Sequence, residues 1–154
     1  MAGLLSLRLT SPAFVHGAPI PARYSCDGAN ISPPLAWDGA PSTTRAFALL
    51  VTDPDARGFV HWVALDIPAA SRGLVEGASG NGVAVREGRN DFGRRGWGGP
   101  CPPSGTHRYV FELFALSAPL DLPGTPSAAD VRRALAGRVI AEARLTGTYR
   151  RRAS

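Results

Sequence analysis

The sequence predicts a mainly β protein, a single domain built around an antiparallel sheet, and three observations carry that prediction. Segments that alternate apolar and polar residues outnumber those with helical spacing. Glycine and proline supply 18 and 14 of the 154 residues, enough turns and breaks to keep helix from dominating. Only one segment carries helix punctuation at both ends.

The first strand is predicted at Arg45 to Thr52, where Phe47, Leu49 and Val51 share a face that ends in Asp53. Val60 to Ile67 is the second, with His61, Val63, Leu65 and Ile67 at the same parity. Arg108 to Leu116 is the third, where His107, Tyr109, Phe111 and Leu113 align. A fourth, Arg138 to Tyr149, places Val139, Ala141, Ala143, Leu145, Gly147 and Tyr149 on one side. The helix lies before it: Ser127 can N-cap, Asp130 completes a capping box, Val131 and Leu135 form a stripe, and Gly137 ends it. Two stretches read as loops, Ser25 to Pro41 and Arg86 to Ser104. Irregular segments of that length are uncommon in a compact domain unless they serve function.

At 154 residues the chain suits one domain that buries roughly two thirds of its extended surface. No apolar run approaches the ~20 residues of a membrane-spanning helix, so no stable membrane insertion is expected. The Leu4-Leu5 cluster is too short for a secretory segment and lacks a charged flank, which predicts a chain starting near Met1 and staying cytoplasmic. All 17 basic residues are arginine, and the net charge is +5. The arginines are scattered apart from Arg94-Arg95, Arg132-Arg133 and Arg150 to Arg152, with no interleaved aromatic residues, so nucleic acid is not expected as a partner. Cys26 and Cys101 have no CxxC spacing and no nearby histidine pair, which argues against a zinc knuckle or a thioredoxin-type site. In a reducing cytosol they are expected as free thiols.

In all three central strands one parity runs apolar and turns polar at an end. Asp53 ends the first strand and His61 begins the second, so antiparallel pairing brings both to one edge. If the third strand runs parallel to the second, His107 and Tyr109 reach that edge too. Two imidazoles and a phenol offer hydrogen-bond donors, and imidazole gains charge near neutrality, which suits a phosphate, sulfate or carboxylate. Asp53 is expected to raise the histidine pKa, although it can also simply form an Asx turn before Pro54. The Gly98-Gly99-Pro100 segment can approach closely, with backbone N–H groups completing the anion cradle and Pro100, Pro102 and Pro103 stiffening its rim. Two other chemistries use the same residues. One is a hydrolase in which Cys101 or Ser104 attacks, His107 is the base and Asp53 orients it. The other is a metal site of Asp53, Asp55, His61 and His107. Neither has supporting spacing, so no metal, cofactor or catalytic residue is expected.

Four stretches together resemble a known family: Cys-Asp-Gly-Ala-Asn-Ile-Ser-Pro-Pro-Leu-Ala-Trp at 26 to 37, Asp-Pro-Asp-Ala with the following His-Trp-Val at 53 to 63, Gly-Gly-Pro-Cys-Pro-Pro with His-Arg-Tyr at 98 to 109, and Leu-Thr-Gly-Thr-Tyr at 145 to 149. They span nearly the whole chain and resemble the phosphatidylethanolamine-binding proteins, in particular the bacterial Raf-kinase-inhibitor-like branch. The resemblance implies an antiparallel β-sandwich with a large central sheet, a smaller sheet and one or two short helices. It implies a pocket for phosphate or a phospholipid headgroup formed by Asp53, His61, His107 and Tyr109, with Gly99 and Pro100 as its wall and Asp55, Phe59 and Cys101 at its mouth. It also implies a protein partner, a kinase or protease under inhibition, and a homodimer. The sequence departs from the family pattern at Arg57, usually proline, and at Phe59, often tryptophan. The animal members' C-terminal helix has no counterpart soon after Tyr149, which implies a more open pocket.

Overall fold

The alternating segments form the large sheet of a two-sheet sandwich, seen here in a computed structural model that describes residues 6–80 and 85–151. Leu4, Leu5 and Arg152 lie outside the described residues. Among the described residues the strands are, in chain order, β1 (Arg8–Thr10), β2 (Leu35–Asp38), β3 (Ala46–Asp53), β4 (Phe59–Pro68), β5 (Gly73–Leu74), β6 (Arg86–Glu87), β7 (His107–Leu116) and β8 (Val139–Tyr149), and an α-helix, α1 (Ala128–Leu135), precedes β8. The large sheet runs β6-β4-β3-β7-β8 and the small one β1-β2-β5, each antiparallel at every strand pair. Since β4 and β7 both run antiparallel to β3, they are parallel to each other, as the convergence of His61 with His107 requires.

The central sheet is covered on both faces. Phe47, Leu49, Val51, Trp62, Phe111 and Leu113 pack toward the small sheet, against Leu9, Leu35 and Trp37. Ala48, Leu50, Val63, Leu65 and Leu116 pack the other way, under Val131 and Leu135 of α1. Double coverage is why Ala46 to Val51 is buried without interruption, a run of apolar residues rather than a clean alternation. The helix forms where its punctuation places it, with Ser127 Oγ accepting from the Asp130 N–H and Asp130 Oδ2 accepting from the Ser127 N–H. Arg132 on α1 and Arg144 on β8 both pair with buried Glu112, which fixes the helix to the sheet.

Two differences from the predicted elements have physical causes. The loop expected over Ser25 to Pro41 contains β2, and that over Arg86 to Ser104 contains β6. Strands of two to four residues are too short to display a period. The single-face reading of His61, Val63, Leu65 and Ile67 also fails, because two register shifts interrupt the β3–β4 ladder. Val63 and Leu65 face the helix, while Trp62, Ala64 and Ile67 face the small sheet. Asp66 takes a positive φ of 51° at the first irregularity, and its carboxylate accepts from the Leu120 N–H. A β-bulge adds a residue and so reverses parity beyond it.

Candidate functional site

The second register shift builds the site. Val51 pairs with Trp62 and Thr52 with Val60, which leaves His61 as the extra residue. The bulge turns its ring to the side of Tyr109, at 5.1 Å edge to face. Pro54–Ala56 forms a 3₁₀ turn capped by Asp53, and left-handed Arg57 and Gly58 send the chain back into β4. Asp53 is 2% exposed: Oδ1 accepts the Asp55 N–H at 2.8 Å, and Oδ2 accepts from His107 Nδ1 at 2.6 Å. The Asx-turn and pocket roles of this carboxylate thus coexist, one on each oxygen.

His61 is 4% exposed, and its Nδ1 lies 2.6 Å from the Gly98 carbonyl. A carbonyl only accepts, so Nδ1 carries the proton and Nε2 is the polar atom left over. Burial among Phe59, Phe92 and Tyr109 holds the His61 pKa below its ordinary value, outweighing the opposing pulls of the Gly98 carbonyl and the Asp53 carboxylate. The Asp53 pull runs upward as expected, but burial is the larger effect. Desolvation likewise pushes the Tyr109 hydroxyl far up, so it stays a neutral phenol.

These groups share a pocket of about 190 Å³. Asp53, His61, His107 and Tyr109 supply its polar part, Phe59 and Phe92 an aromatic side, and Ala56, Cys101, Pro102 and Pro103 the remaining wall. A larger hollow of about 350 Å³, lined by Trp37, Thr44, Ala69 and Arg72 near the other end of β3 and β4, gathers no comparable cluster.

Several predicted neighbours stand elsewhere. Gly99 and Pro100 are outside the pocket lining, although the Gly99 backbone interacts with His61. The Gly98 N–H donates to the His61 carbonyl and the Gly99 N–H to Asn30 Oδ1, while proline has none, so the expected backbone cradle is already engaged within the protein. Asp55 points away from the lining and pairs with Arg108, whose hydrogen bonds hold its pKa down at about 2. The four-ligand metal arrangement is therefore not assembled; among the described residues no group of three His, Cys, Asp or Glu side chains is placed to hold an ion. Cys26 and Cys101 are joined by a disulfide, which corrects the free-thiol expectation. The Cys26 N–H donates to the Pro100 carbonyl and brings the two Cα atoms to 5.4 Å, within bridging distance. Oxidised Cys101 has no thiolate for attack, and Ser104 is exposed and outside the lining.

Sequence reading missed Phe92 and the two asparagines behind the pocket. Asn30 holds Gly99, while Asn90 Oδ1 accepts the N–H groups of Phe92 and Arg94 and its Nδ2 donates to the Gly96 carbonyl. The only signal was asparagine within two glycine-rich loops. A Cβ on Gly99 would sit 2.1 Å from the Tyr24 carbonyl oxygen and 2.4 Å from Asn30 Oδ1. Gly99→Ala is therefore expected to cost about 2 kcal/mol or more, read as a fall of about 4–8 °C in Tm; an unchanged Tm would show that the loops yield freely.

Comparisons agree with this architecture. A profile described as phosphatidylethanolamine-binding protein matches residues 10–150. A Methanothermobacter thermautotrophicus protein named UPF0098 is 47% identical over 150 residues, 94% of this chain and 99% of its own. LppC of Mycobacterium tuberculosis, named as a lipoprotein, is 41% identical over 93% of this chain and 72% of its own. The crystal structure of a Chlamydia trachomatis protein described as a homologue of these binding proteins superposes with a TM-score of 0.90 at 35% identity, covering 96% of this chain and 99% of the other. Escherichia coli YbcL, described as a new member of the mammalian family, gives 0.88 at 33% with the same coverage.

Proposed function

This chain belongs to the phosphatidylethanolamine-binding protein family, and from that premise we propose that its pocket binds a small oxyanion, a phosphate group above all. One observation carries the reading. Both histidines are anchored through Nδ1, His61 on the Gly98 carbonyl and His107 on Asp53, and the Tyr109 oxygen accepts from the Cys101 backbone, so both Nε2 atoms and the Tyr109 O–H proton remain for a ligand in one pocket. A phosphate oxygen can accept from a protonated Nε2, and a P–OH can donate to a neutral one. The group can belong to free phosphate, a lipid headgroup or a phosphorylated kinase or protease partner; all present the same oxygens. The Cys26–Cys101 disulfide and the lipoprotein relative favour an oxidising compartment over the cytoplasm. No described helix is long and apolar enough to cross a membrane.

The His61 shift fixes the sign of the pH dependence. In the empty pocket its pKa lies below the ordinary value, so the ring is neutral at pH 7. A bound anion stabilises the imidazolium, so the bound-state pKa is higher than the free-state one. Affinity then rises as pH falls through the bound-state pKa and levels off below the free-state pKa. Calorimetry with sulfate, whose charge is constant from about pH 5 to 8, isolates this protein contribution. Tighter binding at low pH is expected, with His61→Ala flattening the profile. Phosphate at about 100-fold over its Kd should also stabilise the fold by ~2.7 kcal/mol. Absence of any melting shift at millimolar phosphate would overturn the anion reading.

A further inference from the structure

Phe92 is 41% exposed, yet its position is determined from several sides. Asn90 Oδ1 accepts its N–H, while Asp91 Oδ2 accepts the Val60 N–H and the Asp91 N–H donates to the Val60 carbonyl, tying the loop to the start of β4. The ring lies where a Cβ on Gly98 would approach it to 2.3 Å, so glycine is needed there to admit it. It meets Phe59 edge to face at 4.8 Å and His61 at 5.4 Å. A large apolar ring held half in water by dedicated hydrogen bonds is a preorganised contact surface, since its ordering is complete before a ligand arrives. Among the described residues the pocket lining contains no arginine, so a ring contact adds to what the two histidines and Tyr109 offer the oxyanion.

Resting on the oxyanion reading above, we propose that the site selects an aryl oxyanion, a phosphate ester whose aromatic ring lies against Phe92 and Phe59 while its oxygens meet the two Nε2 atoms and Tyr109. Phe92 is the specificity-determining residue. Ring–ring contact of this kind is expected to favour an aryl over an alkyl ester by about tenfold.

Calorimetry on the whole chain with inorganic phosphate, methyl phosphate and phenyl phosphate tests this. Phenyl phosphate should bind about tenfold more tightly than methyl phosphate, and in both Phe92→Ala and Phe92→Leu the ratio should fall toward one. The leucine variant retains an apolar side chain of similar bulk and guards against loss of folding in the alanine variant. Equal affinity for the two esters in the unmodified protein, or a ratio retained in Phe92→Leu, overturns the selectivity while leaving the oxyanion site standing. If none of the three compounds binds, both readings fall.

Discussion

Reduction of the Cys26–Cys101 disulfide should destabilise the protein by about 4 kcal/mol on the loop-entropy argument. The bond spans 75 residues, almost half the chain, and its loss restores that freedom to the unfolded state. The expected reading is a drop of roughly 8–16 °C in Tm on adding reductant, with a Cys26→Ala/Cys101→Ala double variant melting low and indifferent to reductant. The effect should also reach the pocket, because Cys101, Pro102 and Pro103 line it and the bond holds them to the loop that follows Ser25. Anion affinity should therefore weaken in the reduced protein. Identical melting of the oxidised and reduced forms would show that backbone contacts alone, such as the Cys26 N–H on the Pro100 carbonyl, hold these loops together.

How much of this was legible in the sequence depended on range. The β3, β7 and β8 segments were readable because eight to eleven residues are long enough to show a strand-like apolar run or alternation, and the capping box of α1 because it is local. Convergence of Asp53, His107 and Tyr109 followed from parity and strand direction. His61 reached the same place by another route: parity alone grouped it with Val63 and Leu65, which face the helix, and only a bulge separates them. Bulges depend on cross-strand register, which no single segment encodes. The disulfide, the engaged N–H groups of Gly98 and Gly99, and the seat of Phe92 all involve contacts between segments far apart in sequence. Their residue types carried no spacing signal. The family resemblance identified the motifs that contribute to these loops, yet Asp55 shows that belonging to a motif does not place a side chain in the lining.

Replacing Asp53 separates its two jobs. In Asp53→Ala the Asp55 N–H and His107 Nδ1 both lose their acceptor at a buried position, at an expected cost of about 3 kcal/mol together with loss of the phosphate-induced melting shift. Asp53→Asn is the sharper test. Asparagine keeps an oxygen for the Asp55 N–H, and it forms Asx turns readily, so stability should fall by only about 1 kcal/mol. Its amide then faces His107 as a donor, which requires Nδ1 to lose its proton and moves the neutral ring's hydrogen to Nε2. The imidazolium also loses its counter-charge. Phosphate affinity is expected to drop at least about tenfold, roughly the worth of one charge-assisted hydrogen bond, and nitrogen NMR of the His107 ring should report the exchanged tautomer. If Asp53→Asn binds phosphate as tightly as the unmodified protein, Asp53 serves the turn alone, and the His107–Asp53 pair is architecture rather than the means by which the pocket holds charge.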